Sequence, residues 1–395
     1  MKRVLILGAP IFQIPVVKKA KEMGLYVGIV DIDTEAPALS YADEQYNCSL
    51  KDMEKVLEVA TRFGPDGVII GACDTSVIAG AYVSKVLNLP GHSMETAINS
   101  TNKLKMLEVF KKKNIPHPMF QVVSKDEIDS FEMTLPYPVI SKPTDSAGGR
   151  GVSIIHNSRE LKNAVGFSSR AGISGDVLIE EYMRGPEVSV EVLIVDNEPF
   201  ILQVTDKITS GEPFFYEVGH SQPSSLPPDV LEIVKEVASN AVLAIGLNNT
   251  PAHVEIIITE NGPMMVELGA RLGGDCITSY LIDTSVSGIN MIEATIKLAL
   301  GESPIVCNYY NSGVAVGIRF IPAKAGILKD IHGMDEAYKC DNIVSIEIVG
   351  EIGKRYEDAM DDSARFGYVI CTGNTTEEAL CNTQEVIDKI HFEME

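Results

Sequence analysis

The sequence predicts a parallel α/β region followed by an α+β region. Three observations carry this. Short β-rich apolar runs alternate with helical patterns from Val4 to Leu87, as in a parallel sheet built from strand–helix–strand units. From Pro136 onward strand is followed by loop and strand again, the pattern of antiparallel pairing. A chain of 395 residues with 45% hydrophobic and 22% charged residues has ordinary globular composition and room for two or three domains.

Val4–Leu7 reads as the first strand, followed by a helix through Val16, Val17, Ala20 and Met23 that Gly24 stops. Tyr26–Val30 forms a second strand ending at Asp31, and Val56, Leu57, Val59 and Ala60 mark a second helix. Val68–Ile70 is a third strand and Ile78–Leu87 a third helix. Pro90-Gly91-His92 punctuates the chain, and Asn102–Lys113 is a basic helix ended by Pro116 and Pro118. Val139–Pro143 then runs into the glycine-rich loop Ser146–Gly151 and on to Val152–Ile155. This is strand–loop–strand, not the strand–loop–helix of a Walker loop. Val177–Tyr182 and the alternating Val188–Val195 are further strands. Thr209–Pro228 reads as a long loop and Leu231–Leu243 as a helix. Glu260-Asn261-Gly262 is a turn joining the paired strands His253–Ile258 and Met264–Glu267. A helix over Ile289–Leu300, strands at Val314–Phe320, Val344–Val349 and Tyr368–Thr372, and an acidic helix over Thr376–Ile390 complete the chain.

Charge and composition exclude several function classes. A net charge of −22 repels nucleic-acid phosphates and anionic membranes. No stretch approaches the ~18 apolar residues of a membrane span. The apolar start is too short for a leader and reads as a strand, so a soluble, cytoplasmic protein is expected. Seven dispersed cysteines without CxxC spacing fit reduced thiols. Gly8 and Asp31 occupy the places of a dinucleotide-binding turn, but Gly8-Ala9-Pro10-Ile11-Phe12-Gln13 lacks the second and third glycines. A dehydrogenase is therefore poorly supported.

Four features carry chemistry. Lys142 stands at a strand end before Ser146-Ala147-Gly148-Gly149-Arg150-Gly151, where glycines let backbone amides approach phosphate oxygens; glycine-rich hairpin tips are also common without a ligand. Glu180, Glu181, Met183 and Glu187 can meet a purine edge and ribose hydroxyls, or form a solvated acidic strand end. Glu255 and Glu267 lie in apolar runs on paired strands, where burial is costly without a cation; Mg²⁺ suits such hard oxygen ligands, the alternative being an exposed edge hairpin. Arg271, followed by Gly273-Gly274, can hold a phosphoryl or acyl-phosphate oxygen.

The order Lys103, Lys142 with the glycine loop, Glu180/Glu181/Glu187, then Glu255, Glu267 and Arg271 resembles the ATP-grasp superfamily over nearly the whole chain. Within it, His253-x-Glu255, Glu267-x-x-Ala270-Arg271-x-Gly273-Gly274 and Glu217-Val218-Gly219-His220 resemble the L-amino-acid ligase and carbamoyl-phosphate-synthase-like group. The resemblance implies a pre-ATP-grasp α/β domain at 1–95, a two-lobed ATP-grasp at 96–305 with its lid lobe at about 136–198, and a small C-terminal α+β domain at 306–395. It implies ATP with Mg²⁺ (or Mn²⁺) as cofactors, a carboxylate (an amino acid) and an amine as substrates, and a homodimer. Lys103 and Lys142 are then expected at the ATP phosphates and Ser146, Gly148, Gly149 and Gly151 in the lid. Glu180, Glu181, Met183 and Glu187 fall at adenine and ribose, Glu255 and Glu267 at the metal, and Arg271 at the acyl-phosphate. Glu217, His220 and Asp275 fall near the substrate, with His220 or His253 taking the amine proton.

Two departures narrow this. Many ATP-grasp enzymes place Asn where this chain has Gly269, and a dipeptide-forming relative can carry a bulky aromatic where it has Asp275. The implied reaction is amide formation through an acyl-phosphate, releasing ADP and phosphate. The rivals are a ligase of the same fold in nucleotide or cofactor synthesis or bicarbonate activation, and a nucleotide-binding module without turnover.

Overall fold

The computed structural model describes residues 1–71, 73–124, 126–128 and 130–395. Its N-terminal strands Arg3–Leu7 (β1), Tyr26–Asp31 (β2), Glu44–Asn47 (β3) and Gly67–Ile70 (β4) form a parallel sheet in the order β3-β2-β1-β4. Helix Ile14–Glu22 (α1) connects β1 to β2, Met53–Phe63 (α2) connects β3 to β4, and Asp74–Leu87 (α3) follows β4. Local chemistry sets the helix ends. The Asp52 side chain accepts from the Lys55 amide at the start of α2, and Gly64 closes it at φ +65°. The predicted strands are present; β3 had escaped the pattern because Glu44-Gln45-Tyr46-Asn47 carries no apolar run.

Helices Met94–Thr101 (α4) and Lys103–Lys113 (α5) lead into a second, antiparallel sheet. Phe120–Val123 (β5), Val139–Pro143 (β6), Ser153–Ile155 (β7) and Val177–Glu181 (β8) pair in the order β5-β8-β6-β7, with Ser158–Ala171 (α6) against them. The largest sheet has eight strands. Glu187–Val195 (β9), Glu198–Thr209 (β10), Glu217–Gln222 (β11), Thr250–Thr259 (β12) and Gly262–Gly269 (β13) come first, with Pro228–Ile245 (α7) packed on them. After the small pair Val286–Ser287 (β14) and Tyr310–Asn311 (β15), the same sheet continues with Ala315–Pro322 (β16). Gly326–His332 (β17) turns away; Ile343–Ile348 (β18), Arg355–Tyr356 (β19), Arg365–Gly373 (β20) and His391–Met394 (β21) follow. The order of the large sheet is β13-β12-β9-β10-β11-β16-β20-β18, while β17 pairs with β19 and β21.

The expected loop over Thr209–Pro228 needs correction. Its centre is β11, held between β10 and β16. The strand reads Glu-Val-Gly-His-Ser-Gln, so neither an apolar run nor an apolar alternation betrays it, and its polar residues His220, Ser221 and Gln222 are buried in the sheet. The strand β10 before it is likewise not among the strands that the sequence predicts. One apolar cluster joins the three regions: Val4, Ile6 and Ile29 pack through Leu272, Ile277, Leu281 and Ile292 to Ile318 and Ile370. Among the described residues, no helix is long and apolar enough to cross a membrane.

Candidate active site

Strands β12 and β13 place Glu255 directly opposite Glu267. Opposed residues of an antiparallel pair share one face, and two like charges there repel. Cations answer this. Lys103, at the start of α5, reaches Glu267 Oε1 at 2.9 Å and the Ser146 carbonyl at 2.6 Å. Lys207, on β10, reaches Glu255 Oε2 at 2.9 Å, and His253 Nε2 lies 3.3 Å from Glu255 Oε1. Burial pushes the Glu255 carboxyl up, but Lys207 and His253 outweigh it and hold the group well below the usual carboxylate range. Ala147 and Gly148 of the glycine loop line the same small cavity, together with Asp74, His253 and Arg271. Gly148, Gly149 and Gly151 all take positive φ (64°, 68° and 77°), a conformation that other residues resist.

Lys207 was not legible in the sequence, yet it is the hub of the site. Its side chain is 7% exposed and its ammonium lies 2.8 Å from Glu187, 2.9 Å from Glu217 and 2.9 Å from Glu255. Burial would lower its proton affinity; the three carboxylates raise it well above the usual lysine value. Glu187, expected at a ribose, thus shares its oxygens with Lys207. Lys142 and Glu180 form a separate buried pair on β6 and β8 at 2.7 Å, and Glu180 Oε1 is buried without a hydrogen-bond partner. Glu181 accepts from the Met119 amide at 3.1 Å, and Met183 follows the end of β8.

A larger cleft of about 820 Å³ continues from this cavity between the N-terminal and C-terminal strands. Asp31, Asp33, Asp74, Glu217, Asp275, Asp362, Arg271, Arg365 and Phe320 line it. Arg365, on β20, lies 3.6 Å over the Phe320 ring and donates to Asp275 at 2.8 Å and Asp362 at 3.2 Å. Burial and then the neighbouring Glu217 charge push Asp275 up to about 7 despite Arg365. Glu217 goes the other way: burial would raise it, but Lys207 holds it well below its ordinary range. The two carboxyl groups therefore divide one proton, which Asp275 keeps. Glu217, His220 and Asp275 offer ligand atoms within 4.8 Å of one another, but Arg365 and Lys207 already neutralise the group and we assign no metal to it.

The geometry alters two expectations. His220 is 0% exposed and does not line the cleft; its Nε2 bonds Glu217 Oε2 at 3.2 Å and its ring stands edge-on to Phe320. It backs Glu217 from within the sheet. His253 does line the cleft, but it is clamped between Glu191 and Glu255. Burial would lower it, yet these carboxylates raise it to about 10, so it is a fixed cation at neutral pH. Asp31 also has a structural task, since it accepts from the amides of Ala9 and Asp33.

Comparison with known proteins agrees with this architecture. Residues 135–279 match the ATP-grasp domain family, and residues 319–395 match the L-amino acid ligase C-terminal domain 2. The L-arginine-specific L-amino acid ligase of Bacillus subtilis is 23% identical over 372 residues, covering 90% of this chain and 88% of the relative. The L-amino acid ligase structure from Bacillus licheniformis superposes with a TM-score of 0.85 at 23% identity, over 100% of this chain and 99% of that one. Phosphoribosylglycinamide synthetase from Anaerococcus prevotii superposes at 0.80 with 26% identity, over 100% of both chains. The chain thus carries an ATP-grasp domain at residues 135–279 and an L-amino acid ligase C-terminal domain 2 at residues 319–395.

Proposed function

We infer that the chain is an ATP-dependent carboxylate–amine ligase acting on an amino acid through an acyl-phosphate, with release of ADP and phosphate. The observation that carries this is the opposed pair Glu255–Glu267, with Arg271 and the glycine loop on the same cavity. The two carboxylates fit a hard divalent cation: both are oxygen donors on one face, and Glu255 is held ionised. Mg²⁺ (or Mn²⁺) held there would polarise phosphoryl oxygens of bound ATP.

The chain's own groups do the rest. Lys103 and Lys142 offer ammonium groups to the phosphates, and the amides of Ser146–Gly151 cover them. Glu180, whose Oε1 is free to accept, suits the exocyclic amine of adenine; Glu181 and Met183 offer backbone to the purine edge. Glu187 is the ribose candidate, with Lys207 fixing its carboxylate. A substrate carboxylate oxygen bonds the γ-phosphorus as the bond to the bridging oxygen breaks, and ADP leaves with that electron pair. The amine nitrogen then bonds the acyl carbon and gives up a proton. Phosphate departs with the C–O pair. Arg271 holds the oxyanions of both stages. Asp275 lines the cleft and exchanges a proton near pH 7, which suits it to receive the amine proton; His220 orients Glu217.

The cleft lining sets Asp31, Asp33, Asp74, Glu217, Glu255, Asp275 and Asp362 against Arg150, His253, Arg271 and Arg365, and this acidic excess favours an amine-bearing substrate over a phosphorylated nucleotide precursor. The test supplies MgATP with single and paired amino acids and resolves ADP from AMP. Amino-acid-dependent ADP and phosphate, a hydroxamate on addition of hydroxylamine, and a loss of at least about 10³-fold in Glu267→Gln are expected. AMP formation, or full turnover by Glu267→Gln, overturns the reading.

A further inference from the structure

Arg271 does not hold its pose alone. Asp74, the first residue of α3, lies 197 positions away in sequence and takes Arg271 Nε at 2.6 Å and Nη2 at 3.5 Å. Nη1 donates to the Leu272 carbonyl at 3.0 Å. Of the five guanidinium N–H groups, these contacts leave one on each terminal nitrogen for another acceptor. Beneath the side chain lies Gly269: a Cβ there would come within 3.2 Å of Arg271 Cγ, Nε and Cζ. Asp74 and Arg271 line the same cavity as Glu255, Glu267 and Gly148.

We propose that Asp74 is a positioning residue for Arg271 and that Gly269 is the floor on which the guanidinium lies. The N-terminal parallel sheet thereby sets the reactive geometry of the ATP-grasp lobe. The proposal rests on the role given to Arg271 above.

The physical reasoning has two parts. A two-point carboxylate contact fixes the plane of a guanidinium, which a single point charge does not. After Asp74, the next carboxylates acting on Arg271 are Glu267 and Glu255. Without Asp74 the guanidinium keeps, among the described residues, only the Leu272 carbonyl contact, and nothing fixes its plane. Gly269 matters for a separate reason: a Cβ there forces Arg271 to give way by a few tenths of an ångström, enough to move the guanidinium from its present seat. The departure from the Asn of many ATP-grasp enzymes thus has a steric use in this chain.

The experiment follows amino-acid-dependent ADP release and hydroxamate formation in Asp74→Asn, Asp74→Glu, Gly269→Ala, Arg271→Ala and the Asp74→Asn/Arg271→Ala double variant. We expect Asp74→Asn to lose about 10²-fold in kcat while KM for ATP moves little, since misplacing a reactive group costs rate rather than nucleotide binding. Asp74→Glu recovers part of the rate. The double variant is no slower than Arg271→Ala, because both changes remove one interaction. Should Asp74→Asn fold poorly, Gly269→Ala keeps the ion-pair partners and is expected to lose kcat in the same way. Wild-type kcat in Asp74→Asn or Gly269→Ala, or losses that multiply in the double variant, overturn the proposal. Arg271→Ala turning over at the wild-type rate overturns instead the ligase role of Arg271 on which it stands.

Discussion

The two ends of the cleft hold the same residue types in opposite electrostatic states. Around Glu255 and Glu267 stand Lys103, Lys207, His253 and Arg271, and the carboxyl groups of Glu255 and Asp74 are held low. Around Asp275 and Asp362 stands Arg365, and burial pushes both carboxyl groups up. Glu217 lies between the ends, and its contact with Lys207 places it with the first. Burial is severe at both ends, so burial alone does not decide ionisation. The number of cations facing each carboxylate does. The first end keeps Glu255 and Asp74 ionised; the second holds in Asp275 a carboxyl that exchanges its proton near neutral pH.

Removing the cation that divides the two ends is the strongest way to break this contrast. Lys207→Met leaves Glu187, Glu217 and Glu255 facing one another without their shared ammonium. Breaking a buried pair in this way costs on the order of 3–5 kcal/mol. The loss has a definite pH signature. With Lys207 gone, the folded carboxyl groups bind protons more tightly than the unfolded chain does, so stability falls as pH rises through the carboxylate range. Urea unfolding at pH 5 and pH 8 checks this: the variant is expected to fall further below the wild type at pH 8. An equal deficit at both values would mean that Lys207 acts through packing and not through charge.

What could be read from the sequence follows the same division. Val4–Leu7 and Val68–Ile70 announce themselves as apolar runs, and Glu255 and Glu267 stand out because acids are rare inside such runs. These are local signals. β11 was not legible, because Glu217-Val218-Gly219-His220-Ser221-Gln222 is a strand whose burial comes from neighbours elsewhere in the chain. Lys207, Asp74 and Arg365 escaped for a related reason. Each is one ordinary charged residue whose meaning lies in partners 48, 197 and 90 positions away. Arg271 was recognisable from its spacing to Glu267, but the Asp74 carboxylate and the Gly269 floor that orient it were not. Residue type and spacing can nominate a group for chemistry; its protonation state is set by contacts that only the fold supplies.

Asp275 gives a smaller and sharper test of the second end. In the unfolded chain its carboxyl loses its proton near 3.8; in the fold it keeps it up to about 7. Between those values the folded state holds a proton that the unfolded state has released, so rising pH removes stability, and the loss is complete above about 7. Asp275→Asn has no such proton to lose, and its carbonyl oxygen still accepts from Arg365 Nη1. Between pH 5 and pH 8 the variant should therefore gain on the wild type by on the order of 1–2 kcal/mol in urea unfolding, a figure below the full linkage value because Glu217 shares the proton. Activity should move in the opposite direction. If Asp275 receives the amine proton, the limb of the wild-type kcat profile near pH 7 disappears in Asp275→Asn along with most of the rate. A pH-independent stability difference would show that Arg365 compensates Asp275 as fully as Lys207 compensates Glu255. The two ends would then differ in shape and not in charge.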